Sequence, residues 1–266
     1  MATERIDNPF AARRAQPALS PRGAAPPPKQ EAPHEAPPAR ERAPLRLRAM
    51  TGYEEEVVEA RLLDTNTAAL CNEIVARCCA APGADFSAAH ERVRSLSTVD
   101  RDAALIQIRK LSLGDVVHLE VACPSCARRN EVDFKLSSLP LPVSAVPEQV
   151  TVELPDAALP EGAADRTAVA RTPTAGDQED LLSAGLASES ARRTFLLARV
   201  LQSYAGTQGP FDEAFARGLP IAGRAAVERA IEAAMPDLDL SMAVQCVECE
   251  ADFVSPFDVA AFFLPR

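Results

Sequence analysis

Val117-His-Leu-Glu-Val-Ala-Cys-Pro-Ser-Cys-Ala-Arg-Arg-Asn-Glu-Val-Asp-Phe134 is an alternating apolar run, a CxxC turn and a second alternating run. A counterpart lies near the other end of the chain, Leu240-Ser-Met-Ala-Val-Gln-Cys-Val-Glu-Cys-Glu-Ala-Asp-Phe-Val254. Strand, tight CxxC turn and strand make a zinc knuckle, and two knuckles supply the four thiolates of a tetrahedral structural site. The ligands expected from this pattern are Cys123, Cys126, Cys246 and Cys249, holding one structural Zn2+ per chain. Seven cysteines scattered at random over 266 positions would give only about 0.2 CxxC pairs. The spacing is unusual: 119 residues separate Cys126 from Cys246, where a compact finger has about 15 to 20. The site is therefore expected to clamp distant parts of the chain. Two unrelated thiol pairs, or a redox CxxC, are the alternatives. The redox motif opens a helix after a βαβ pattern, whereas here the alternating Glu131-Val-Asp-Phe134 follows, which favours metal.

The expected fold class is α+β, a mainly helical body with a small antiparallel zinc ribbon and a disordered N-terminal tail. Residues 1–48 contain ten prolines and few large apolar side chains, so burial does not offset the entropy of ordering them. Residues 49–115 read as a helical region. Acids crowd the first turn of Thr51-Gly-Tyr-Glu-Glu-Glu, and apolar positions recur at three and four in a helix over Ala68 to Cys79. A third helix is expected over Phe86 to Leu96. A fourth, Val99 to Leu111, follows the cap Ser97-Thr-Val-Asp100. Cys71, Cys78 and Cys79 read as small apolar packing residues.

Residues 116–136 form the first knuckle hairpin, 137–237 an insertion, and 238–266 the second knuckle with an apolar C-terminal segment. Within the insertion, Gln149-Val-Thr-Val-Glu-Leu and Thr167-Ala-Val-Ala-Arg-Thr alternate with period two and predict a hairpin. Helices are expected over Gln178 to Ala184, Glu189 to Tyr204 and Ile221 to Met235. In the last segment Phe257, Phe262, Phe263 and Leu264 are candidate partner contacts.

Charge is uneven. Residues 1–50 carry nine Lys/Arg against five Asp/Glu, and the whole chain is at −10, so everything after residue 50 is acidic. An acidic body is a poor surface for phosphate backbones, which makes nucleic acid an unexpected partner and the knuckles structural. An odd cysteine count with no secretory leader points to a reducing compartment, and no apolar run reaches the 18 residues of a membrane span. The three histidines stand apart, and no nucleophile elbow, phosphate loop or HExxH occurs. With four thiolates filling the coordination sphere no position is open for Lewis-acid chemistry, so no enzyme, small-molecule substrate or catalytic residue is expected.

Leu96-Ser-Thr-Val-Asp-Arg-Asp-Ala-Ala-Leu105, Arg109-Lys-Leu-Ser-Leu-Gly-Asp115 and Cys123-Pro-Ser-Cys126 followed by Val132-Asp-Phe-Lys-Leu136 together resemble the T-even-type phage baseplate protein and baseplate hub assembly chaperone family. Arg171-Thr-Pro-Thr-Ala-Gly-Asp-Gln178 and the C-terminal CxxC followed by Phe257-Asp-Val-Ala-Ala-Phe-Phe263 agree with it. The resemblance covers about residues 46–266. It implies a non-enzymatic component of a phage tail or phage-like contractile injection system, or a factor assembling its hub, with other baseplate, hub or tail proteins as partners. The implied location is the bacterial cytoplasm or the finished particle. The other class weighed is a zinc-ribbon nucleic-acid-binding regulator, for which the basic tail is the sole electrostatic support. Two departures stand out: Ala127 and Glu250 occupy the position after the second cysteine where many knuckles have Gly, and the basic N-terminus looks like an addition.

Overall fold

The computed structural model describes residues 45–61, 64–139, 146–235 and 241–256. In chain order come four helices, α1 (Gly52–Ala60), α2 (Thr67–Cys78), α3 (Ser87–Arg94) and α4 (Thr98–Leu113), and then the hairpin β1 (Val116–Ala122) and β2 (Arg129–Lys135). Next are β3 (Gln149–Glu153), β4 (Thr167–Arg171), α5 (Ala175–Ser183) and α6 (Glu189–Val200). The chain continues through β5 (Leu201–Tyr204), β6 (Thr207–Gln208), α7 (Glu213–Gly218) and α8 (Ile221–Ala234) to a last hairpin, β7 (Ser241–Gln245) and β8 (Asp252–Pro256). The fold is mixed, mainly helical with small antiparallel sheets, and the chain separates into two compact units.

The first unit joins α1–α4, the β1–β2 hairpin, α5 and the β7–β8 hairpin. Its helices start where the sequence supplies caps. Asn66 accepts from the Ala69 N–H, and Ser97 accepts from the Asp100 N–H at 3.0 Å. Gly114 stops α4 at φ 86°, a left-handed value that a glycine takes without strain. The apolar faces of α2, α3 and α4 meet through Ile74, Val75, Val93, Leu105 and Ile108, with Val117 of β1 and Leu136 closing the cluster. Each such side chain contributes about 1.5–3 kcal/mol by leaving water. Cys78 lies in this cluster, where burial pushes its thiol up to about 12, so it packs as a small apolar residue.

The last residues of the segment assigned to the tail are part of the helical unit: Leu45 and Leu47 pack against the helical cluster, and Arg48 bonds to α1 and the end of α2. The rest of the tail, residues 1–44, lies outside the described residues. α5 falls within the stretch read as an insertion, yet it packs against α2, α3 and α4. The Ala175 N–H donates to the Leu96 carbonyl at 2.8 Å, and Gly176 sits where an added Cβ would be 3.0 Å from the Arg94 carbonyl oxygen.

The second unit is a four-stranded antiparallel sheet, β3-β4-β5-β6, packed with α6, α7 and α8 around Leu197, Val200, Tyr204, Val227 and Ile231. The predicted hairpin is present, with Gln149 opposite Arg171 and Glu153 opposite Thr167. The helix expected over Glu189 to Tyr204 ends at Val200 instead. Leu201–Tyr204 is β5, whose backbone pairs with β4 across a register shift at Val169/Ala170. Long-range pairing overrode the local helical pattern there, and the short α7 carries too little periodicity to be read from sequence.

Candidate metal centre

Each CxxC sits at the tip of an antiparallel hairpin, as the alternating flanks predict: β1 and β2 pair from Val116↔Lys135 to Ala122↔Arg129, and β7 and β8 from Ser241↔Pro256 to Gln245↔Asp252. The two tips have the same backbone construction. The Cys123 N–H donates to the Arg128 carbonyl at 2.8 Å, and the Cys246 N–H to the Ala251 carbonyl at 3.0 Å. The Ala127 N–H returns to the Cys123 carbonyl at 2.9 Å, and the Glu250 N–H to the Cys246 carbonyl at 3.0 Å. Closing the turn puts Ala127 at φ 59° and Glu250 at φ 57°. The left-handed conformation that glycine usually supplies is thus retained with side chains in place, at about 1–2 kcal/mol each.

The hairpins bring their tips together. All four sulfur atoms lie within 4.8 Å of one another, with Cys123 Sγ 3.7 Å from Cys249 Sγ and Cys126 Sγ 3.6 Å from Cys246 Sγ. A tetrahedron with metal–sulfur bonds of about 2.3 Å has sulfur–sulfur edges of about 3.8 Å, so the cluster has the right size and donor type for one tetrahedral metal ion. Cys123 and Cys246 are buried, whereas Cys126 and Cys249 face solvent. His118 is not part of the cluster; it is exposed and pairs with Asp133 at 2.6 Å. Phe257, Phe262, Phe263 and Leu264 lie outside the described residues.

The electrostatics of the thiols are those of a crowded anion site. The backbone N–H groups of Cys249 and Glu248 hold the Cys246 thiol down to about 6. Desolvation opposes ionisation of Cys123, yet the N–H groups of Cys126 and Ser125 outweigh it and lower that thiol too. Cys126 moves the other way. The Arg128 N–H favours its thiolate, but the thiols of Cys249, Cys246 and Cys123 push it up to about 12. Cys249 is likewise raised against the N–H of Ala251. The first cysteine of each knuckle ionises readily and the second is resisted by its neighbours, a repulsion that a divalent cation would relieve.

One polar residue at the site escaped the sequence reading. Asn130, 2% exposed, directs its side-chain oxygen at the backbone N–H of Val247 at 3.0 Å, from one hairpin to the other. Asparagine in an alternating strand carries no signal for this, because the contact is made across 117 residues of sequence.

The family model described as T4 bacteriophage base plate protein matches residues 38–264, a span that includes both knuckles and both compact units. No curated protein and no solved structure matches the chain.

Proposed function

Since the chain belongs to the T4 bacteriophage base plate protein family, we propose that it is a non-enzymatic structural or assembly protein of a contractile phage tail or phage-like injection system, working at the baseplate or its hub. The observation that carries this reading is the family match over residues 38–264, and the closed four-thiol cluster supports the structural half of it. One Zn2+ per chain, held by Cys123, Cys126, Cys246 and Cys249, fastens the C-terminal hairpin to a hairpin that is itself rooted in the helical core through Val117 and Leu136. Among the described residues no side chain of β7 or β8 joins that core cluster, although Val244 is buried, so the metal is the main fastening of this hairpin to the first. The apolar run Phe257, Phe262, Phe263 and Leu264 follows β8 directly in sequence and offers contacts to another baseplate, hub or tail protein.

The protein works first in the bacterial cytoplasm and then in, or on the way to, the particle. Among the described residues no helix is long and apolar enough to cross a membrane. The test is mass spectrometry of purified particles and of assembly intermediates from a producing strain. Recovery with baseplate or hub subunits is expected, and loss of complete baseplates on deletion of the gene. Normal particles from the deletion strain, together with salt-sensitive DNA binding by residues 45–266, would instead favour the nucleic-acid reading.

A further inference from the structure

The two knuckles are alike in backbone, but among their sequence differences two positions break the symmetry of the contact between their tips. Counting from each CxxC, Asn130 corresponds to Phe253, and Val247 corresponds to Pro124. In one direction across the tips, an amide acceptor faces a backbone N–H: Asn130 Oδ1 receives the Val247 N–H at 3.0 Å. In the other direction both halves are missing from the sequence, since Phe253 has no acceptor and Pro124 has no N–H to give. This bond therefore runs from the CxxC turn of the second knuckle to a residue fixed in the first.

Asn130 is well held for such a task. Its Nδ2 donates to the Arg128 carbonyl at 3.0 Å and, more weakly, to the Val121 carbonyl at 3.4 Å, which turns the amide so that its oxygen points across the gap. Both carbonyls belong to its own hairpin. Val247 presents its backbone N–H to this contact, and the residue is 76% exposed. The peptide N–H that is gripped follows Cys246, one of the two buried sulfur ligands. The next two N–H groups, of Glu248 and Cys249, are turned to the Cys246 sulfur.

We infer that Asn130 is the positioning residue of the metal centre: by holding the Cys246–Val247 peptide it fixes the second knuckle's thiolates at the first knuckle. This rests on the metal-clamp reading above. It assigns Asn130 no contact with the ion; it acts through Cys246, as hydrogen-bonding partners of metal ligands do elsewhere.

The test is zinc affinity of the full chain, measured by competition with a chromophoric chelator, beside the ligand-field spectrum of the cobalt(II)-substituted protein. Asn130→Ala is expected to weaken zinc binding by about 10–100-fold and to alter the cobalt spectrum while one ion per chain is still bound. Val247→Pro deletes the donor of the same bond, in a turn whose twin already accommodates Pro124, so adding it to Asn130→Ala is expected to cost little further affinity. Two unrelated folding defects would instead add. Wild-type affinity and spectrum in Asn130→Ala would overturn the inference, as would a further loss on adding Val247→Pro. Absence of zinc from the wild-type protein is a different result, because it removes the clamp itself.

Discussion

Arg48 and Glu54 face each other fork to fork, with Arg48 Nη1 2.9 Å from Glu54 Oε2 and Nη2 2.9 Å from Oε1, and the carboxylate is 1% exposed. The same guanidinium reaches the carbonyls of Arg77 and Ala80, so one side chain ties the entry of the chain to the start of α1 and the end of α2. Desolvation alone would raise the Glu54 carboxyl. Arg48 outweighs it, together with the N–H and hydroxyl of Thr51, and holds the group at about 2 against an ordinary 4.5. A depressed carboxyl stabilises the fold above its unfolded value and loses that contribution as pH falls. The contribution is therefore expected in full above about pH 4.5 and to fade towards pH 2. Urea unfolding between pH 6 and 3 should show this slope, and Glu54→Gln should flatten it. Arg48→Ala strands a buried charge and should cost about 3–5 kcal/mol at neutral pH.

Metal removal should act unevenly. Purified protein is expected to carry one zinc by elemental analysis, and Cys123→Ser or Cys246→Ser to carry none. On chelation, amide exchange in residues 241–256 should rise far more than in α2 or α4, because the first hairpin keeps Val117 and Leu136 in the helical core. Cys78→Ser is the contrasting variant. It buries a hydroxyl in an apolar cluster, costing about 1–3 kcal/mol, while the zinc content stays at one. Freely alkylated thiols in metal-free protein purified without chelator would reverse this expectation.

The knuckles were legible because their chemistry is local: CxxC, flanking alternation and a turn lie within eighteen residues of one another in each hairpin. The same holds for Ser97 and Asp100 at the start of α4. What stayed hidden was non-local. Leu201–Tyr204 continues the apolar rhythm of α6 and becomes a strand because β4 offers it a partner. Asn72 and Arg101 look like surface residues on amphipathic helices, yet they are 0% and 4% exposed, since α5 arrives from a hundred residues away to cover them. The resemblance singled out Asp100-Arg101 and Thr174-Ala-Gly-Asp-Gln178 as separate motifs. The fold shows that they meet, with Arg101 Nη2 donating to Gln178 Oε1 at 2.9 Å.

That meeting predicts where the helical unit is vulnerable. Asn72 Nδ2 donates to the Ala175 carbonyl at 3.1 Å and to Glu179 Oε2 at 2.7 Å, and its Oδ1 accepts from Arg101 Nη1 at 3.1 Å. Asn72→Ala leaves a buried guanidinium and a buried carbonyl each short of a partner. The expected cost is about 1–3 kcal/mol in chemical denaturation. The loss should appear first as faster exchange at the α5 amides of Leu181 and Leu182, with the zinc content unchanged.

A glycine in the second unit gives a prediction whose sign separates packing from propensity. Gly223 lies in α8, where glycine-to-alanine normally gains up to about 1 kcal/mol. Here an added Cβ would stand 2.0 Å from the Tyr204 hydroxyl and 3.1 Å from the Ala158 Cβ. That hydroxyl is buried and donates to the Ala158 carbonyl at 2.8 Å, so the ring cannot swing away without giving up the bond that joins β5 to the turn after β3. Gly223→Ala is therefore expected to destabilise the sheet unit by about 1–3 kcal/mol. Tyr204→Phe should relieve part of that clash, so the double variant should lose less than the two single changes summed. A thermal melt of the four proteins decides it. A Gly223→Ala protein that melts above wild type would mean that α8 can move off β5, and that Tyr204 is not wedged against it.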